Sequence, residues 1–337
     1  MLFLTRVFLA KEAKKPLVSV IIPFYNEAAV LKTAIKSAQN QTLRDIEIIC
    51  VDDGSTDSSV IFVEILQKKD DRIVLVKSKK NKGLVNARAE GIAKARADHI
   101  LFLDADDFFF NNSIAELSLQ KALETNADVV HFKEQRQITK KDGSITIEYY
   151  EWANPVIFDV VNSPKVMEYF LLQGNGSTMH GKLITKAIYL KALNYMGKDL
   201  LNMGLTYSED TLIMGTIFLL LDRYVGLDVM GYTYIIRAAA WTFRSKTNFE
   251  LTLDRQRQTL IVYRRMMEKF PTEYHQQFQH IVWQTINYHV ALSQKFNHFT
   301  EANIRELCQK YIDAKVMNSR DSEYIQQQYC PATKAEL

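Results

Sequence analysis

Three acidic clusters and one arginine are the residues of this chain best suited to chemistry on a charged substrate. Asp104-Ala105-Asp106-Asp107 follows an apolar run, Asp52-Asp53 precede Gly54, Glu209-Asp210 open another apolar run, and Arg88 lies within KGLVNARAEGI. On extended backbone, side chains at i and i+2 point the same way, so Asp104 and Asp106 can converge on one ion, or on an ion and a ribose. Hard carboxylate oxygens suit Mg²⁺ or Mn²⁺. Carboxylates this close repel unless a cation or a raised pKa relieves them. Taken alone, the same residues also read as a solvated acidic turn, with Asp107 as a helix cap. Asp53 at a strand end can accept a base N–H, and Gly54 permits close backbone approach. Ser55 or Thr56 can cap the following helix with Asp57 on its dipole, which leaves Asp52 and Asp53 unexplained by capping. Arg88 can pair with the acidic rim or with a diphosphate, or stand as a surface arginine. Glu209 and Asp210 suit a helix N-terminus capped by Ser208, and Asp210 equally suits a general base.

The elements that must position these residues follow from the hydrophobic pattern. Residues 17–23, 46–53, 72–77 and 99–104 are short apolar runs that read as strands. Between them, helical spacing covers Val30 to Ala38, the stretch after Thr56 to about Lys69, and Leu84 to about Ala95. The order βαβαβαβ predicts a mostly parallel, doubly wound sheet with helices on both faces. Ligands of such sheets bind beyond the carboxyl ends of the strands, where the acidic clusters stand. From about 128 to 250 the pattern is mixed: DVVHFKEQ, SITIEYYEW, Lys182-Leu183-Ile184 and residues 232–237 read as strands, and Glu209 opens a helix to about Leu221. Residues 251–329 are helical in pattern; Tyr274, Phe278, Ile281, Thr285, Tyr288, Leu292 and Phe296 keep three- and four-residue spacing, and Pro271 breaks one helix and starts the next. This divides the chain into an extension (1–15), a main domain (16–250, with halves 16–132 and 133–250) and a C-terminal helical region (251–337).

Composition narrows the function classes. With 337 residues, 47% hydrophobic and 24% charged, the chain can bury a large core and is neither disordered nor fibrous. A net charge of +3 is too weak to argue for a nucleic-acid partner. Cys50, Cys308 and Cys330 lack metal-ligand spacing and read as reduced thiols, hence a cytoplasmic chain. The apolar stretch at the N-terminus precedes its lysines, the reverse of a signal peptide, and reads as a short helix on the body. No run reaches the roughly 18 apolar residues of a membrane span. Arg255, Arg257, Arg264 and Arg265, interleaved with Tyr263, Met266, Met267 and Phe270, read as a helix packed on the body with a solvated basic face, or as a peripheral foothold on anionic lipid. The seven histidines do not cluster, and Gly174-Asn175-Gly176-Ser177 lacks the spacing of a phosphate loop.

PLVSVIIPFYNEAAVLKTAIKSAQNQT, IICVDDGSTDSS, NKGLVNARAEGI and ILFLDADD, in this order, resemble the glycosyltransferase family 2 domain of bacterial surface-glycan type, over roughly residues 16–240. The resemblance implies a GT-A fold and an inverting transferase. It implies that Pro23, Tyr25 and Glu27 form a nucleotide-contacting loop, that Asp53 bonds the base, usually uracil, and that Arg88 lies near the diphosphate and the acidic motif. It gives Asp104, Ala105 and Asp106 to the nucleotide-sugar and metal site, with Asp104 and Asp106 on Mn²⁺ or Mg²⁺, and Asp210, beside Glu209, the part of catalytic base. HGKLITKAIYL and YIIRAAAWT resemble two later segments, which puts His180, Lys182 and Arg237 on the acceptor or diphosphate side. The chain departs from the pattern at Gly181 and Ala89, where asparagine is common, and at residues 238–240, where alanines replace polar residues. The partners implied are a nucleotide-sugar donor, a UDP-sugar first, and a glycan or glycolipid acceptor at the inner membrane. A dinucleotide-dependent oxidoreductase would need G-x-G-x-x-G where this chain has Pro-Phe-Tyr-Asn-Glu. A non-catalytic nucleotide-sugar-binding module is the remaining alternative.

Overall fold

The computed structural model describes residues 14–140, 142–149, 156–173, 177–236, 249–279, 306 and 309. The expectations for the first 13 residues, Gly174-Asn175-Gly176, Arg237, residues 238–240, the helical pattern beyond residue 279 and the cysteines at 308 and 330 lie outside the described residues.

The first half follows the predicted order: β1 (Val18–Phe24), α1 (Leu31–Gln39), β2 (Ile46–Asp52), α2 (Ser59–Gln67), β3 (Ile73–Lys77), α3 (Leu84–Lys94) and β4 (His99–Phe102). β1 and β2 are buried at every position, as strands covered on both faces must be. β1 runs parallel to both β2 and β4, and β2 parallel to β3. One apolar core lies between the sheet and α1, α2 and α4 (Ile114–Thr125), with Val20, Ile22 and Ile48 facing it. The other lies beyond the opposite face, where Ile21, Ile49 and Val51 meet residues of α3, α5 (Lys165–Gln173), α6 (Lys186–Met196), α7 (Glu209–Leu220) and α8 (Phe249–Lys269).

The second half makes the sheet mixed. β5 (Phe108–Phe109), β6 (Val129–Thr139), β7 (Ile145–Tyr149), β8 (Val161–Asn162), β9 (Lys182–Thr185) and β10 (Arg223–Ile236) complete ten strands, with the path β3-β2-β1-β4-β9-β6-β10-β5. β9 enters antiparallel between β4 and β6, whereas β10 runs parallel to β6 through two register shifts. A mostly parallel sheet therefore holds for β1 to β4 and gives way beyond them. The local caps also differ from expectation. Helix α2 begins at Ser59, where the Asp57 carboxylate accepts the backbone N–H, so neither Ser55 nor Thr56 caps it. Ser208 lies in the left-handed region (φ 60°) and makes no side-chain cap on α7.

On α8, Arg255 is buried with its guanidinium over the Tyr207 ring, and Arg265 binds the Met196 carbonyl and Asp199. Two of the four arginines offered to lipid are thus spent on the body, on which α8 packs through Leu260, Val262, Tyr263 and Met266. No helix among the described residues is long and apolar enough to cross a membrane.

Candidate active site

The loop after β1 and the loop after β2 are tied together by side chains. Asn26, at φ 56°, accepts from the N–H groups of Thr56 and Asp57, while its own N–H donates to Ser55 Oγ. Glu27 and Ala28 donate to Ser59 Oγ and Asp57. The two aspartates that capping left unexplained have separate tasks. Asp52 accepts from Ser55 N at 2.8 Å and closes the turn, with Gly54 at φ 81°. Asp53 accepts from Lys82 N at 2.9 Å and Gly83 N at 2.8 Å, pinning the loop before α3. A side chain at Gly54 would lie 2.7 Å from the Lys80 backbone, so this loop closes onto bare backbone.

Arg88 gathers the acidic residues. It lies on α3, 1% exposed, and donates from Nη2 to Asp104 at 3.1 Å, from Nη1 to Glu209 at 3.2 Å, and from Nη1 to Asp210. Burial disfavours its charge, but Asp210, Asp104 and Glu209 outweigh burial and hold its proton more firmly than usual. One guanidinium cannot neutralise three carboxylates. Glu209 is the most buried of the three, and burial with Asp210 beside it pushes its pKa to about 8. It holds a proton more firmly than a solvated glutamate does. Asp210 retains 23% side-chain exposure, and its second oxygen accepts from Met179 N at 3.2 Å, so it is both anchored and open. The residues read as a surface arginine and a helix-terminus pair are therefore one buried cluster.

Asp104 to Asp107 form a turn, closed by Asp107 N on Asp104 O at 3.1 Å, not an extended segment. Asp107 is no helix cap. It is fully buried, accepting from Tyr232 Oη at 2.8 Å and Ile235 N at 2.7 Å, and burial with Asp106 and Asp104 nearby raises its pKa well above the carboxylate range. The imidazole of His180 lies parallel to the rings of Tyr232 and Tyr234, 4.7 and 5.8 Å away, and its Nδ1 is 2.8 Å from Glu134. Burial opposes the imidazolium, but Glu134, with Asp104 and Asp107, raises its pKa to about 9. Gly181 sits at φ 72°, where an added Cβ would come within 2.9 Å of Glu134 Oε2. The departure from asparagine thus makes room for the carboxylate that charges His180. Lys182 does not reach the cleft: it is fully buried, its ammonium donating to the Thr178 carbonyl and hydroxyl and the His180 carbonyl. It braces the turn before β9. Burial lowers its pKa to about 8, although Glu134 and Asp210 pull the other way.

A cleft of about 360 Å³ opens beyond β1 and β4, lined by Pro23, Tyr25, Glu27, Asp53, Asp104, Ala105 and Asp106 among the anticipated residues. Arg88, Glu209 and Asp210 stand behind its wall and join it through Asp104; His180 joins it through Tyr234. Asn81, Gly83, Leu84, Thr206 and Tyr234 also line it and were not anticipated. Asn81-Lys82-Gly83 carries a turn signature that marks the loop. Glu134, an acid inside an interior strand run, was the legible sign of the His180 pair. Among the described residues, no three His, Cys, Asp or Glu side chains form a metal-holding group. Asp104 and Asp106 both line the cleft, carboxylates of the kind that bind Mg²⁺ or Mn²⁺ beside phosphate oxygens and water.

Comparison with known proteins agrees with this geometry. Residues 19–152 match the sequence model of Glycosyl transferase family 2. A glycosyltransferase of Haemophilus influenzae, itself uncharacterized, is 40% identical over 160 residues, 48% of this chain and 58% of that protein. The GalNAc(5)-diNAcBac-PP-undecaprenol beta-1,3-glucosyltransferase of Campylobacter jejuni is 36% identical over 135 residues, 40% of this chain and 42% of that protein. The chain thus matches less than two thirds of the length of either relative. The crystal structure of S. aureus TarS 1-349 with UDP covers 92% of this chain and 86% of its own, with a TM-score of 0.57 at 18% identity, a likeness of fold. Over residues 19–152 this chain is similar to glycosyl transferase family 2, and its fold is that of the GT-A glycosyltransferases.

Proposed function

We propose that the chain is an inverting, divalent-metal-dependent glycosyltransferase. It moves a hexose or N-acetylhexosamine from a nucleoside-diphosphate sugar, a UDP-sugar first, to a hydroxyl of a bacterial glycan such as lipooligosaccharide or capsule at the inner membrane. One observation carries this reading: Asp104 and Asp210, brought from separate stretches of chain, meet on Arg88 at the wall of a cleft that Asp53 and Asp106 also line. That the S. aureus TarS structures hold UDP and UDP-GlcNAc supports the nucleotide.

Asp53 spends one lone pair of each oxygen on the Lys82 and Gly83 amides, which leaves capacity for a base N–H. Asp104 and Asp106 would hold Mg²⁺ or Mn²⁺. When bound, such an ion offsets the charge that develops on the departing diphosphate. Arg88 holds Asp104 and Asp210 in fixed relation, so the metal site and the base keep one geometry. Asp210 takes the proton of the acceptor hydroxyl as the new oxygen–carbon bond forms and the bond to the diphosphate breaks; the hydroxyl becomes acidic only in that transition state. Glu209, whose pKa burial and Asp210 raise, competes less for the Arg88 charge than a solvated glutamate would.

The test is a panel of UDP-, GDP- and dTDP-sugars with simple sugar acceptors, reading released nucleotide with Mn²⁺ and again with EDTA. Release of UDP from at least one donor, abolished by EDTA, is expected. Nucleotide binding without release from any donor would leave a binding module instead.

A further inference from the structure

The segment that carries the candidate base is held from outside the family match. Thr206 lines the cleft, and four residues later Asp210 reaches Arg88. The backbone of this segment is gripped by α8. Gln258 Oε1 accepts from Thr206 N at 2.7 Å and from Tyr207 N at 2.9 Å, and its Nε2 donates to Thr206 Oγ1 at 3.2 Å and to Asp254 at 2.7 Å. Gln258 is only 9% exposed. The hydroxyls of Thr259 and Ser208 lie 3.0 Å apart, and the Arg255 guanidinium lies 4.9 Å from the Tyr207 ring centre. Ser208 itself is left-handed, a conformation that a residue with a side chain keeps only where its surroundings impose it.

We infer that Gln258 is a positioning residue for sugar transfer: by holding the Thr206 and Tyr207 amides it sets the left-handed turn at Ser208 that delivers Asp210 to Arg88, which makes α8 part of the active site. This rests on Asp210 as the base. Two successive amides bound by one side-chain oxygen form a rigid clamp, and a base displaced by about 1 Å loses on the order of 10²-fold in rate. The clamp grips the segment that carries Asp210, whereas Asp53 is held by the Lys82 and Gly83 amides, so the clamp acts on transfer more than on nucleotide binding.

The experiment compares wild type with Gln258→Met, which matches the shape without an acceptor, and with Gln258→Glu in an Asp254→Asn background, which keeps the acceptor without setting two carboxylates together. Amide exchange over residues 204–210, UDP affinity with Mn²⁺ by calorimetry, and kcat and donor KM with the active donor are read. For Gln258→Met, faster exchange at 206–207 is expected, with UDP affinity and donor KM within about threefold and kcat lower by about 20- to 100-fold. Gln258→Glu in that background restores most of kcat. If Gln258→Met does not fold, Thr259→Val, which removes only the bond to Ser208, is expected to lower kcat severalfold with unchanged UDP affinity. Wild-type kcat or wild-type exchange in Gln258→Met, a fall in UDP affinity parallel to kcat, or no recovery with glutamate would overturn the inference. Asp210→Asn separates the two claims: wild-type turnover there removes the base itself, whereas an inactive Asp210→Asn beside a fully active Gln258→Met removes only the role of Gln258.

Discussion

Arg88 touches three carboxylates with almost no access to water, so removing it leaves charges that nothing else in the cluster compensates. Arg88→Ala is expected to destabilise the fold by about 3–5 kcal/mol, read as a lower urea midpoint; a change under about 1 kcal/mol would show that water already screens the cluster. The His180–Glu134 pair adds a pH signature. His180 is raised from 6.5 to about 9, so the folded chain binds the extra proton between these values; that stability is complete below about 6.5 and is lost as pH rises toward 9. In Glu134→Gln, burial is opposed only by Asp104 and Asp107 and the His180 pKa falls, so between about pH 6 and pH 9 the wild type should lose on the order of 2–3 kcal/mol more than the variant. Parallel urea-midpoint curves would contradict the pairing. Asp53, Asp104, Asp106, Arg88 and Asp210 were legible in the sequence because packing needs no charge at those places. The Asp107–Tyr232 pair was not, since its partners stand 125 residues apart, and the sequence displays types without contacts.

Helix α3 shows how an element sets the site. Gly91, one turn after Arg88, faces β1 and β2; an added Cβ would fall 2.5 Å from Ile21 Cγ2 and 3.2 Å from Val51 Cγ2. Helix propensity alone would reward Gly91→Ala by about 1 kcal/mol. The structure predicts the opposite sign, a loss of about 1–3 kcal/mol from overpacking, with Arg88 lifted away from Asp104. A thermal midpoint at or above that of wild type would show that the strands yield. The helix was legible from its periodicity, but its close approach was not, because a glycine inside a helical pattern looks only unfavourable until its neighbour is known. The caps were misplaced for a related reason: Ser55 was spent on Asn26 across two loops, and Ser208 on α8, contacts that no local window contains.

Across the molecule, legibility follows topology. From β1 to β4 strands and helices alternate along the chain, so pattern and fold coincide. Beyond β4 the chain returns with β9 antiparallel between β4 and β6, and β10 spans fourteen residues with two register shifts. Neither leaves a periodic trace, yet this half supplies Asp210, His180, Thr206 and Tyr234 to the site. The nucleotide side of the cleft was therefore readable in advance; of the wall that completes it, Asp210 and His180 were readable as residues, and Thr206 and Tyr234 were not. Under the proposed function these two halves make one machine, in which nucleotide binding and proton removal are separate tasks of one cleft. Asp210→Asn tests it most directly, with UDP affinity in Mn²⁺ and donor turnover measured on the same preparation. The account predicts UDP affinity within about threefold of wild type and turnover lower by about 10²- to 10⁴-fold. Unchanged turnover, or affinity lost in step with it, would contradict the account.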